Sequence, residues 1–124
     1  MNLYHQSQGS GQPLIILHGL FGSSDNWRGI AKKLAAHAQV ISIDLRNYGQ
    51  SPHSEKISYG DMASDVVKLI KALGLTQVDV IGHSIGGKVA MTLAARAPEV
   101  IRRLVIVDMA PKRYSDNHSN IFEK

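Results

Sequence analysis

The chain has no cysteine, which removes disulfides and thiolate metal sites and suits a reducing compartment. It has no apolar run near the length of a membrane span, and its first residues lack the basic-then-apolar pattern of a secretion signal. Its cations are not gathered either. The fourteen Lys and Arg are scattered apart from the pairs Lys32-Lys33, Arg102-Arg103 and Lys112-Arg113, with no interleaved aromatics to stack bases. The formal net charge of +4 is therefore assigned to solvated helix faces. Internal repeats and low-complexity tracts are also absent. What remains is a cytoplasmic globular protein that meets neither nucleic acid nor membrane, and its 124 residues suffice for one compact core.

The most informative stretch that is present is 78–87, V-D-V-I-G-H-S-I-G-G. It is a short apolar strand running into a glycine-flanked turn with Ser84 at its tip. A G-x-S-x-G turn needs small residues at Gly82 and Gly86, because a nucleophile on a strained strand-to-helix turn brings its neighbours too close for Cβ atoms. Gly87 adds room. The backbone N–H of Ile85, opening the next helix, can face a developing oxyanion. On this reading Ser84 is an acyl-accepting nucleophile.

A second stretch, 14–22, reads L-I-I-L-H-G-L-F-G: another apolar strand ending in a histidine–glycine loop. Acyl transfer needs a second oxyanion donor, and the Leu20 N–H is the candidate, with Phe21 the alternative beside Gly19. His18 fits a loop-ordering residue better than a proton shuttle, since a group at that turn hydrogen-bonds backbone. A rival pattern overlaps the first stretch. Gly82 to Lys88 also fits G-x-x-x-x-G-K, a phosphate-cradling loop, with Asp108 after an apolar strand as a magnesium ligand. That match breaks at Val89, where a hydroxyl is required.

These segments together resemble the α/β-hydrolase family. A third stretch adds to the likeness: I-D-L-R-N-Y-G-Q-S at 43–51 is similar to that family's D-x-R-G-x-G-x-S turn, with Asn47 in place of glycine. Asparagine tolerates left-handed backbone angles, so the turn survives the change. The resemblance implies a serine esterase of the bacterial branch acting on short esters and acyl-CoA thioesters. It also implies a longer chain than this one. Residues 1–111 then correspond to the N-terminal part of the hydrolase core and 112–124 to the start of a lid or cap, and the chain alone is expected to be inactive. The alternative is a non-catalytic α/β module or truncated homologue.

Element by element, strands are expected within 1–12 and at 14–17, 40–44, 78–81 and 104–107. Helices are expected at 27–37, capped within 23–26, at 58–73 and at 85–97. The second helix starts at Ser58 with Asp61 three residues on, presents Met62, Val66, Leu69 and Leu73 at helical spacing, and stops at Gly74. Such alternation predicts a mostly parallel sheet with helices on both faces. In the family's strand order the 40–44 strand lies outside the 14–17 strand, and the 78–81 and 104–107 strands lie on the other side. The crevice at the strands' carboxyl ends then collects the histidine–glycine loop, Ser84 and Asp108.

A serine nucleophile needs a histidine base and a carboxylate to hold it. Among the histidines, His83 adjoins the nucleophile and points elsewhere, His5 and His37 lie off the crevice, and His53 sits in a surface loop. His118 alone follows both Ser84 and Asp108, yet falls early for the family's histidine, so the base is expected outside this chain. Asp108 is either the triad acid or a cap for the turn after its strand. Asp44 is expected to order the Arg46 loop, and Lys88 to be solvated on the elbow helix. No metal or cofactor is called for. The expected partner is a small ester or thioester, with self-association through an exposed edge between Leu104 and Val107.

Overall fold

The computed structural model of the chain describes residues 2–18, 28–55 and 58–107. Its element order is β1 (His5–Gln8), β2 (Pro13–Leu17), α1 (Arg28–Leu34), β3 (Gln39–Ile43), α2 (Tyr59–Ala72), β4 (Val78–His83), α3 (Ile85–Arg96), a single 3-10 turn at Pro98–Val100, and β5 (Ile101–Val107). These strands form one sheet in the order β1-β3-β2-β4-β5. β1 runs antiparallel to β3, while β2 pairs in parallel with both β3 and β4, and β4 with β5. The mostly parallel sheet is the one the alternation predicted, and the strands lie on the sides that the family resemblance implied.

Apolar side chains leave both faces of the central strands. Ile15, Leu17, Ile41 and Ile43 pack on one face with Met62, Val66 and Ile70 of α2 and Val89, Ala90 and Leu93 of α3. Ile16 and Val40 point to the other face, against Ala31, Ile30 and Leu34 of α1. Helices therefore cover both sides, as buried parallel strands require. Helix α2 begins where the sequence placed it: the Ser58 hydroxyl oxygen accepts from the Asp61 N–H at 3.0 Å. It ends at Gly74, whose φ of 73° continues past the helix at no steric cost.

Two expectations need correction, at Leu73 and at the start of β5. Leu73 caps α2 and stays 39% exposed. The buried stripe instead includes Ala63 and Ile70 beside Met62 and Val66, with Leu69 partly buried against it. Asp65 lies inside this stripe, 1% exposed, and forms a two-pronged ion pair with Arg46, Nε to Oδ2 at 2.7 Å and Nη2 to Oδ1 at 2.9 Å. That pairing ties the turn after β3 to α2 and raises the Arg46 pKa. Last, β5 starts three residues early, at Ile101. Arg102 pairs with Asp79 of β4 at 3.0 Å, while Val105 is 51% and Ile106 36% exposed, β5 being last in the sheet order. The calls at Gly19, Leu20, Phe21, Asp108 and His118, the cap within 23–26 and the segment 112–124 lie outside the described residues.

Candidate active site

The chain runs from β2 to its neighbour β3 on one side, then returns to place β4 on the other side of β2. Adjacent loops at the carboxyl ends of β2 and β4 thus part in opposite directions and open a crevice. His18 follows β2 directly, and Ser84 is the single residue between β4 and α3. Such an abrupt passage from strand to helix demands unusual backbone angles. Ser84 has φ 56° and ψ −120°, a region that costs a non-glycine residue roughly 1–3 kcal/mol. In exchange its side chain is held exposed at the tip of the turn.

The flanking glycines make the turn possible through close approach. A Cβ on Gly82 would lie 2.6 Å from the Gly86 carbonyl oxygen and 2.8 Å from the Gly87 Cα. A Cβ on Gly86 would run into the Leu17 carbonyl oxygen and lie 2.6 Å from that of His18. At Gly87 the nearest atom is the Ile106 Cγ2 at 3.1 Å, a side-chain end that can yield. Gly86→Ala is accordingly expected to cost about 3 kcal/mol, since only backbone atoms stand in its way, and Gly87→Ala less than about 1 kcal/mol. Urea midpoints of the two variants measure the difference. Equal midpoints would show that the contact between α3 and β2 is looser than described here.

Backbone hydrogen bonds fix the elbow on both sides. The Ser84 N–H donates to Val107 O at 3.2 Å, the Gly86 N–H to His18 O at 3.1 Å, and the Gly87 N–H to Ser84 O at 2.9 Å. Ile85 is the first residue of α3, so its N–H has no partner inside the helix. It also carries the positive end of the helix dipole. A cavity of about 270 Å³ opens beside Ser84, lined by Ile85, Gly87, Lys88, Met91, Ile106 and Val107. None of these is a histidine.

The other residues singled out in the sequence fall into place around this crevice. The His18 side chain is fully buried; its Nε2 accepts the Leu45 N–H at 3.1 Å and lies 3.8 Å from Asp44 Oδ1. Tyr48 meets the His18 ring edge-to-face, centroids 5.6 Å apart. Asp44 also accepts the Gln50 N–H at 2.9 Å through Oδ2, and its carbonyl oxygen accepts the Ser51 hydroxyl. Asn47, at φ 70°, closes the same turn by accepting the Ser54 N–H at 2.6 Å. His83 ends β4 half-buried, and desolvation by burial lowers its pKa. His53 is exposed beyond that turn, His37 is exposed after α1, and His5 is on β1 at the far edge of the sheet.

Local geometry also bears on the phosphate-loop pattern. Gly82 and His83 are strand and Ile85 to Lys88 are helix, so no loop stretches between the glycines to cradle a phosphate. The Lys88 Nζ lies over the Tyr59 ring, 5.8 Å from its centroid, on the exposed side of α3. Sequence reasoning missed Tyr48, Met91, Ile106 and the Arg46–Asp65 pair. Each is brought to its place by tertiary contacts that no local pattern encodes. Among the described residues no cluster of His, Asp and Glu is arranged to hold a metal, and no helix is long and apolar enough to cross a membrane.

Comparison with known proteins bears on the same site. Residues 12–123 match the family described as alpha/beta hydrolase fold. The chain is 46% identical over 115 residues to the sn-1-specific diacylglycerol lipase ABHD11 of Danio rerio, covering 91% of this chain and 36% of the lipase. It is 40% identical over 118 residues to the esterase YbfF of Escherichia coli, covering 94% of this chain and 46% of that esterase. A solved marine microorganism esterase superposes with a TM-score of 0.85 at 46% identity, covering 98% of this chain and 47% of the esterase. The chain spans less than half the length of each of the three.

Proposed function

Since the chain belongs to the α/β-hydrolase fold family, we propose that it carries the nucleophile of an enzyme that cleaves carboxylic esters, and acyl-CoA thioesters as a second class, through an acyl-enzyme on Ser84. The observation that carries this reading is the backbone of Ser84 itself. A strained, exposed serine at a strand-to-helix turn, with the Ile85 N–H unused beside it, has a cost that a purely structural turn avoids by placing glycine there. That cost argues against the non-catalytic module. Matched relatives named as esterases and a lipase support ester cleavage.

In the proposed reaction the Ser84 Oγ attacks the substrate carbonyl carbon while a histidine base takes the hydroxyl proton. Negative charge gathers on the carbonyl oxygen, where the Ile85 N–H and the Leu20 N–H donate to it. Collapse of the tetrahedral intermediate breaks the bond to the alcohol or thiol, which leaves with the proton from the histidine. Water, deprotonated by the same base, then releases the acid and frees Ser84. Asp108, one residue past β5, holds the histidine. The cavity at Ser84 is faced by Ile85, Met91, Ile106 and Val107, an apolar lining that suits a short acyl chain.

The substrate class is tested by offering the full-length protein p-nitrophenyl acetate and acetyl-CoA, following nitrophenolate and free thiol. Turnover of the ester is expected. Folded protein that turns over neither compound would contradict the proposal. The 124-residue chain is further expected to self-associate through β5, because Val105 and Ile106 present an apolar strand at the end of the sheet. Sedimentation over a concentration series measures this; a monomer throughout would show that the edge is covered.

A further inference from the structure

We propose that His18 is a positioning residue for the reaction at Ser84, acting as a neutral hydrogen-bond acceptor that clamps the end of β2 to the turn after β3 and to the start of α3. This rests on the Ser84 reading above but makes a separate claim about the state of one imidazole. His18 is 0% exposed, and its Nε2 receives the Leu45 N–H at 3.1 Å. A nitrogen that accepts an N–H cannot itself carry a proton, so the ring is held as the tautomer protonated on Nδ1. The same residue's carbonyl oxygen receives the Gly86 N–H at 3.1 Å.

His18 thus joins the end of β2 to the turn after β3 through its ring and to the elbow helix through its backbone. Tyr48 fixes the ring plane from the side. Both donated N–H groups belong to buried residues, so losing either bond leaves a desolvated donor, which resists rearrangement. The clamp bears on chemistry because of what it touches. Gly86 is two residues after the nucleophile, and Leu20, the second oxyanion donor in the sequence reading, is two residues after His18. A shift of His18 therefore moves the first turn of α3, whose Ile85 N–H lies beside Ser84. A proton-shuttle role is excluded by the same geometry, since Nε2 is already engaged with backbone away from Ser84.

Two measurements on the full-length protein test the proposal. Imidazole nitrogen-15 spectra, with His18→Gln used for assignment, should show His18 with an unprotonated Nε2 and a protonated Nδ1 at neutral pH. A protonated Nε2 would overturn the claim whether or not the protein turns over esters. In kinetics, His18→Leu, which fills the space but accepts nothing, is expected to lower kcat about 10²-fold with KM within about twofold, the scale of a small misplacement of reacting groups. His18→Gln places an amide oxygen near the lost acceptor and should recover most of that loss. If His18→Leu does not fold, His18→Gln decides: kcat within about tenfold of wild type supports the clamp, and a loss as deep as about 10²-fold overturns it. Unchanged kcat in a folded His18→Leu also overturns it.

Discussion

Ser84→Ala is expected to lower kcat of the full-length protein on p-nitrophenyl acetate by about 10⁶-fold, the scale on which removing a serine nucleophile acts when base and oxyanion donors remain. Substrate binding should change little, because the apolar walls of the cavity come from Met91, Ile106 and Val107. Alanine keeps the strain of φ 56°, so the fold is not relaxed by this change. Ser84→Gly separates the two effects. It removes the nucleophile as fully as alanine does, yet glycine adopts these angles without penalty, so the variant should be about 1 kcal/mol more stable than wild type while equally inactive. Urea unfolding and an ester assay on the same samples check both halves. An active Ser84→Ala protein would remove the basis for the whole reading.

The second large effect is expected at Asp108. Asp108→Asn should leave the fold intact and slow turnover by about 10⁴-fold, as when the base histidine is held in the wrong tautomer. Position supports the assignment. Val107, the residue before it, accepts the Ser84 N–H through its carbonyl oxygen at 3.2 Å, so the chain leaves β5 from a point bonded to the nucleophile's own backbone. Asp108 is the next residue in the chain. The measurement is the pH dependence of kcat/KM for wild type and Asp108→Asn. A loss below about tenfold would assign Asp108 to the turn after β5 instead, and the acid would belong elsewhere in the protein.

Much of this architecture was legible in the sequence, for definite physical reasons. β2, β3 and β4 are largely buried, so their sequences are rich in apolar residues and bounded by turn residues. The elbow was legible because sterics there admit almost nothing but glycine at Gly82 and Gly86. Asn47 was legible for a similar reason, its φ of 70° being one that asparagine tolerates.

What was not legible depended on tertiary placement. Arg102 and Arg103 look like the end of a loop, but Asp79 across the sheet gives Arg102 a partner and lets β5 begin at Ile101. Asp65 looks like a solvated helix position until Arg46 arrives from a turn nineteen residues earlier. Tyr48 becomes a partner of His18 only when the β2 and β3 ends are adjacent. Substrate preference is the least legible property, because the walls of the cavity beside Ser84 come from α3 and from β5, separate in sequence.

The central claim is that Ser84 is the residue that takes the acyl group. A fluorophosphonate probe reacts covalently with an activated serine and with little else, so peptide mass spectrometry after labelling of the full-length protein reads the claim directly. The account predicts one adduct, on the peptide carrying Ser84, formed more slowly while excess ester substrate is present and absent in Ser84→Ala. An adduct on another serine, or none in protein that hydrolyses esters, would contradict it.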